Sequence, residues 1–336
     1  MVKIGKNGSK GKERGRSLKQ MAHKKVVIES EVGSRQLSSI ETEVLEQANS
    51  LVSFFSFLSN PNGRGGGPYH APSFSMRILS WNYRGAGRAP TVRAIKALVR
   101  TEGPEVLFLS ETKINSPKVN RLKISIGFAK FFCVDNVGKA GGLALFWKHG
   151  VDLEVVFANQ YVVAALIYSN PPENPWLLIT AHGPPYLAKK RKFWELMEEI
   201  ISGFSGHWCL LGDLNNISTK AEKKGGRSLG EGSSRSFRAF VDNVATIDLG
   251  FSGLRFTWTN RRVGRANIRE RLDKGICNVD WQTFPCVGVK HLTAPNSDHN
   301  PILLNTHMEF EKGVGPFRFE AMWTKEESSE EVVASA

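Results

Sequence analysis

Residues 130–181, KFFCVDNVGKAGGLALFWKHGVDLEVVFANQYVVAALIYSNPPENPWLLITA, are the stretch on which the fold turns. Extended apolar runs lie at Lys130 to Val134, Gly142 to Trp147, Leu153 to Phe157, Val162 to Tyr168 and Trp176 to Ala181, parted by Gly, Asn and Pro with no helical period between them. Consecutive strands without crossover helices pair as antiparallel meanders, because a parallel pair needs a long connection. Upstream, Arg77 to Trp81 reads as a strand and Thr91 to Arg100 as a helix with Val92, Ile95, Leu98 and Val99 on one face. Val106 to Ser110 is the next strand. Downstream, a helix from Leu187 to Ile201, with Phe193, Trp194, Met197, Ile200 and Ile201 inward, leads into a strand from Trp208 to Leu211. A helix around Phe237 to Val244 and strands at Arg255 to Thr259, Gly288 to Leu292 and Pro301 to Asn305 complete the series. This order fits an α/β fold of two mixed β-sheets packed face to face with helices outside, a four-layer α/β/β/α sandwich, better than it fits one parallel sheet.

The 336 residues, 41% of them apolar, suffice for a sizeable core. Residues 1–75 stand apart: a basic arm, a polar stretch, the short apolar patch LVSFFSFL and a Gly/Pro run read as leader and linker. The folded domain is expected over 76–308, followed by an acidic Ser/Glu-rich tail over 309–336. The apolar patch is far shorter than the ~20 residues that cross a bilayer, so no membrane partner is expected. The basic arm lacks the apolar centre of a secretory signal, which points to a nuclear or cytoplasmic protein and leaves organellar targeting open. Cys133, Cys209, Cys277 and Cys286 form no CxxC pair and, with the histidines, no zinc-site spacing, as in a reducing compartment. A net charge of +13 favours a polyanionic partner, nucleic acid before an anionic membrane, through release of counterions from phosphates. No obligate protein partner is implied.

Five segments set ligand-type side chains at the ends of apolar runs: Trp81-Asn82, Ser110-Glu111-Thr112, Gly212-Asp213-Leu214-Asn215, Arg271-Leu272-Asp273 and Ser297-Asp298-His299-Asn300. Each alone reads as well as a turn former or a loop brace. All five in this arrangement point to one rim where strand ends meet and a single site is assembled.

The blocks ILSWNYRG (78–85), FLSETK (108–113), GGLALFWK (141–148), LLGDLNNI (210–217), FTWTN (256–260), ERLDKGICN (270–278) and SDHNPILL (297–304) resemble the successive motifs of the endonuclease/exonuclease/phosphatase superfamily. They are most similar to its apurinic-site-endonuclease branch, and within it to the endonuclease domain of plant LINE retrotransposon polyproteins. PFRFEAMW (316–323) resembles the segment that follows that domain. The resemblance implies divalent-metal hydrolysis of a phosphodiester, with magnesium, or manganese in its place, as cofactor and DNA as partner. Glu111 matches the metal carboxylate, Asn82 a ligand of the metal shell or phosphate, and Asp298 a further contact to the metal shell. Asp213 matches the acid that holds or deprotonates the attacking water, Asn215 its phosphate-orienting companion, and His299 the donor to a non-bridging oxygen. Asp273 would orient His299 from behind. Magnesium's preference for oxygen ligands suits this set.

Two positions depart from the family pattern. His182 stands where a tyrosine is usual, and Pro185 where the branch commonly carries an asparagine. His182 can still donate to phosphate, with a different reach and a charge that depends on pH. Arg84, Arg88, Lys190, Lys224 and Arg262 are candidates for contacts to the DNA backbone, which position a duplex without reading its sequence. The leading expectation is an endonuclease that nicks DNA. A catalytically degenerate nucleic-acid-binding remnant is one alternative, and a phosphatase or lipid phosphodiesterase on the same fold is another.

Overall fold

The structure, a computed structural model, describes residues 75–307 apart from 88, 137, 139–140, 169–174, 228–233, 280, 282–286 and 295–296. The leader expected over 1–75 (Ser75 apart) and the tail over 309–336 thus fall outside the described residues, as does Arg88.

The strands are β1 (Arg77–Asn82), β2 (Val106–Ser110), β3 (Lys130–Val134), β4 (Leu143–Trp147), β5 (Asp152–Ala158), β6 (Val162–Tyr168), β7 (Trp176–His182) and β8 (Trp208–Asp213). They continue as β9 (Lys223–Lys224), β10 (Thr246–Asp248), β11 (Ser252–Gly253), β12 (Trp258–Thr259), β13 (Arg269–Glu270), β14 (Asp273–Asn278), β15 (Gly288–His291) and β16 (Ile302–Asn305). The α-helices are α1 (Ala89–Glu102), α2 (Ser116–Ile126), α3 (Leu187–Ser202) and α4 (Arg235–Val244). One sheet has the order β11-β15-β16-β1-β2-β4-β3 and the other β10-β14-β8-β7-β6-β5, with a small third sheet, β12-β13-β9. Both large sheets are mixed: β1 runs parallel to β2 and β7 parallel to β8, while β16, β4, β6 and β14 pair antiparallel with their neighbours.

Strand alternation explains the layering. Ile78, Val106, Phe108, Leu143 and Leu145 face the second sheet and meet Val163, Ala165, Leu178, Cys209 and Leu211 between the sheets. The alternate residues Leu79, Trp81, Leu107, Leu109 and Phe146 face outward onto Ile95 of α1 and Val119, Leu122 and Ile126 of α2. On the opposite side Leu166, Ile179 and Leu210 pack on Phe193, Trp194 and Met197 of α3 and Phe237 and Phe240 of α4. The central strands are buried on both faces, so their sequences are continuous apolar runs rather than alternating ones. The molecule is the four-layer α/β/β/α sandwich expected, and the antiparallel run β3 to β7 divides between the sheets, as the hairpin β3-β4 in one and the meander β5-β6-β7 in the other. No helix among the described residues is long and apolar enough to cross a membrane.

The short strands β9, β10, β11 and β13 add to the expected series, and three further elements differ from the sequence reading. The strand expected over Arg255 to Thr259 shrinks to β12, and Thr257 before it acts as a brace: its carbonyl accepts the Asn300 N–H at 2.7 Å and its hydroxyl accepts the N–H groups of Leu272 and Asp273, each at 3.0 Å. Helix α2 was not foreseen, although Pro117 in its first turn and a left-handed Gly127 at its end are ordinary helix signals. Strand β14 was not foreseen either. It is polar at Asp273, Lys274 and Asn278, yet it lies inside its sheet, between β10 and β8 and antiparallel to both.

Gly212 fixes the end of β8 next to Asp213. Its φ is +145°, and a Cβ there would sit 2.1 Å from the carbonyl oxygen of Ala181 on the parallel neighbour β7. Gly212→Ala is expected to cost roughly 3 kcal/mol or more, because both the backbone conformation and a strand contact must give way. Urea unfolding of the variant checks this, and an unchanged midpoint would contradict it.

Candidate active site

The topology brings the strand ends to one rim. Asn82 ends β1, and its register partner Ser110 ends the parallel β2, so Glu111 is the first residue beyond the sheet. His182 and Asp213 end the parallel strands β7 and β8 in register with each other, and Asp273 opens β14 directly across from Asp213. His299 precedes β16 and is pinned on two sides. The Trp81 indole donates to its carbonyl at 3.0 Å, and it bridges to Trp258 of β12.

Asp213 is the hub of this rim. Its Oδ2 accepts the Asn82 side-chain amide at 2.8 Å and lies 3.7 Å from both His299 Nε2 and His182 Nε2. Its Oδ1 accepts the Asn215 backbone N–H at 3.0 Å. Behind His299, its Nδ1 lies 3.1 Å from Asp273 Oδ2. Asp213, Asp273, His299 and Asn82 are all essentially inaccessible to solvent. Asn215 donates its amide to the Gly183 carbonyl at 2.8 Å. Glu111 and Asn215 both have left-handed backbone, with φ of +51° and +49°. Such strain in non-glycine residues gathers at sites where side-chain placement matters.

Burial works against charge here, and the ionic partners decide the outcome. For Asp213, burial raises the pKa, but His299 and His182, then the Asn82 and Asn215 hydrogen bonds, hold it below the usual carboxylate range. For His299, burial lowers the pKa, yet the Asp213 and Asp273 charges and the hydrogen bond to Asp273 raise it to about 9. Burial pushes Asp273 upward, and His299 opposes that shift. His299 is therefore an imidazolium at neutral pH, with Nδ1–H given to Asp273 and Nε2–H directed towards Asp213.

Raising His299 from 6.5 to about 9 on folding contributes stability that is complete below 6.5 and is lost as pH rises through about 9. In the presence of a chelator, wild-type protein is expected to lose on the order of 2 kcal/mol between pH 7 and pH 10 from this source. His299→Gln should remove that dependence. Urea titrations of both proteins at the two pH values test it, and equal slopes would refute it.

The Glu111 carboxylate is partly open to solvent and ringed by nitrogen donors: Lys113 Nζ and Arg84 Nε lie 3.3 and 3.6 Å from Oε2, and His182 Nε2 lies 3.5 Å from Oε1. Arg84 reaches on to Asp298 Oδ2 at 3.0 Å. Asn82 Oδ1 is buried without a hydrogen-bond partner among the described residues. A carboxylate at Glu111, a second at Asp298 and this bare carbonyl oxygen make an all-oxygen set that fits a hard divalent ion. Ligand atoms of Asp213, Asp273 and His299 also lie within 4.8 Å of one another. That group is a poorer magnesium site. It is fully buried, its imidazolium already pairs with both carboxylates, and magnesium keeps waters that such a pocket cannot hold.

The expected DNA contacts fare differently. Arg84 and Arg262, with Trp258 and Arg261, line an open cleft of about 540 Å³ beside Asp298. Lys224 is exposed on β9. Lys190 is a correction. Instead of facing solvent it is buried, and its Nζ donates to the Asn215 carbonyl at 2.5 Å, so it braces the loop after β8. Burial lowers its pKa, against the pull of Asp213.

Sequence reasoning missed a second buried cluster, in which Arg271 pairs with Asp248 through two contacts of 2.6 and 2.7 Å and with Glu222 at 2.9 Å, and Lys274 pairs with Glu222. Glu222 also accepts the Ser218 N–H at 2.6 Å, which ties the loop after Asp213 to the strand carrying Asp273. The only sequence signal was the alternation of charge around Asp273.

A buried carboxylate–imidazolium pair facing a second carboxylate, beside an open all-oxygen ligand set on a two-sheet sandwich, defines a site for hydrolysis of an anionic ester. The chain belongs to the Endonuclease/Exonuclease/phosphatase family, whose profile matches residues 79–299. Membership makes it a phosphodiester-type hydrolase in a family that works with divalent metal. Among solved structures it is similar to an AP endonuclease from Leishmania major, with a TM-score of 0.57 at 14% identity over 78% of this chain and 99% of that one. It is also similar to a 3′ phosphatase from Neisseria bound to a product DNA hairpin (TM-score 0.51, 17% identity, 70% and 99% covered). The endonuclease domain of TRAS1, a telomere-specific non-LTR retrotransposon, matches with a TM-score of 0.51 at 13% identity over 70% and 99%. No curated protein matches the sequence.

Proposed function

We propose that residues 76–308 form a magnesium-dependent DNA endonuclease that nicks duplex DNA, and that it stands with the endonuclease domains of plant LINE retrotransposons. The observation that supports it most is the convergence of Asn82, Glu111, Asp213, Asp273 and His299 at one rim, next to a cleft lined by Arg84, Arg261 and Arg262. The similarity to proteins described as acting on or bound to DNA supports the choice of substrate.

Glu111, Asn82 Oδ1 and Asp298 would hold the ion. Bound there, magnesium would neutralise charge that builds up on the phosphate. Asp213, kept ionised, orients the attacking water by accepting its hydrogen bond, a role that suits a carboxylate of depressed pKa better than retaining a proton would. His299 donates from Nε2 to a non-bridging oxygen while Asp273 fixes its ring and sustains its charge. His182, facing both Glu111 and Asp213, offers a second donor to phosphate where the family pattern has a tyrosine.

A substrate panel tests the reading. Purified full-length protein is incubated with supercoiled plasmid and with a duplex bearing a 3′-terminal phosphate, with magnesium or with EDTA. Conversion of plasmid to open circle with magnesium alone is the expected result. Release of inorganic phosphate without nicking would favour the phosphatase alternative. DNA binding without either product would favour the degenerate remnant.

A further inference from the structure

Arg84 occupies the place where the metal ion is wanted. It sits two residues past Asn82, and one guanidinium spans both carboxylates of the candidate metal set, Nε 3.6 Å from Glu111 Oε2 and Nη1 3.0 Å from Asp298 Oδ2. Asn82 Oδ1, buried and without a partner among the described residues, is an independent mark that the rim is built for a cation. Of the three nitrogen-bearing side chains around Glu111, Arg84 is the most exposed at 51%, against 36% for Lys113 and 13% for His182. It is therefore the one that can leave with least disturbance.

Arg84 also has somewhere to go. It lines the open cleft with Trp258, Arg261 and Arg262, and a guanidinium released from carboxylates meets phosphate with the same planar two-donor geometry.

We propose that Arg84 is an internal competitor of the divalent metal at Glu111 and Asp298, and that its displacement delivers it to a DNA phosphate, so that metal and DNA each strengthen binding of the other. The inference rests on the assignment of Glu111 and Asp298 to the metal. Two cations cannot pair fully with the same carboxylate oxygens, so metal entry weakens both Arg84 ion pairs and leaves its charge uncompensated beside the cleft. A phosphate arriving in the cleft draws Arg84 away and opens the carboxylates to metal. Linkage makes the two effects equal in size.

The sign of one measurement separates this from an ordinary phosphate clamp. A clamp that only touches DNA leaves metal affinity of the free protein unchanged when it is removed, whereas removal of a competitor raises it. Manganese binding to full-length protein without DNA, followed by the resonance of the free ion, is compared for wild type, Arg84→Met and Glu111→Gln. Arg84→Met is expected to bind manganese about threefold to tenfold more tightly. A phosphorothioate duplex that resists cleavage should tighten manganese binding to wild type and do so much less in Arg84→Met. Equal or weaker manganese binding by Arg84→Met, with Glu111→Gln showing a clear loss, would overturn the competition and leave the metal site standing. Unchanged binding by Glu111→Gln would overturn the site assignment and this inference with it. Arg84 lies on an exposed turn, and an unaltered urea midpoint for Arg84→Met confirms that the comparison is between folded proteins.

Discussion

His299→Ala will lower the single-turnover rate of strand cleavage by roughly 1,000-fold, Asp273→Asn will lower it by a similar factor, and the two changes together will do little more. The reason is geometric. His299 has its Nδ1 within 3.1 Å of Asp273, and the two are buried to 2% and 0% exposure, so this carboxylate, together with Asp213, sustains the imidazolium against burial and alone fixes its ring from behind. Removing either partner removes the same positive donor from the phosphate. Asn at 273 retains the shape but supplies no charge, so the imidazole loses its proton at a lower pH and can turn to the wrong tautomer. Measured losses that multiply in the double variant would show that the two groups act separately.

Glu111→Gln is the second large effect. Gln preserves volume and one oxygen but removes the negative charge that offsets Arg84 and Lys113. Cleavage at a fixed sub-saturating magnesium concentration should fall about 100-fold, and the magnesium needed for half-maximal rate should rise. DNA affinity measured in EDTA should hold or improve, since a negative group has left a basic cleft. A magnesium titration of the cleavage rate decides it, and an unaltered curve would take Glu111 out of the metal site.

Much of the fold could be read from the sequence because its central strands are buried on both faces. Runs such as VLFLS and LALFW leave little alternative to strand, and α3 announces itself through Phe193, Trp194 and Met197. β14 was illegible for the opposite reason. Lys274 is fully buried, but its charge is answered by Glu222, some fifty positions earlier, and only the folded chain reveals that pairing. Lys190 is instructive in the same way. In KKRK it looks like one more solvated cation, yet its spacing from Phe193, Trp194 and Met197 places it on the inward face of α3.

The strand-end acids and His299 stood out only as a set, because each alone could form a turn or brace a loop, whereas five such segments at the ends of apolar runs, in the order of the family's motifs, point to one site. Their mutual contacts did not stand out. Sequence cannot show that Asp213 gathers Asn82, His182 and His299 around one oxygen, or that Arg84 straddles Glu111 and Asp298. Both arrangements arise because separate β-sheets end at the same rim, which is a property of topology rather than of local pattern.

The central claim, that this rim cuts DNA, is tested most directly by plasmid nicking with wild-type protein and Asp213→Asn purified side by side, each at saturating magnesium. Asp213 is the hub through which Asn82, Asn215 and both histidines are held, and Asn at this position keeps the size while losing the charge. The account predicts steady conversion of supercoiled to open-circle plasmid by the wild type, abolished by EDTA, and a rate at least roughly 1,000-fold lower for Asp213→Asn at equal DNA binding. Equal nicking by the two proteins, or no nicking by a wild type that binds both DNA and metal, would contradict it.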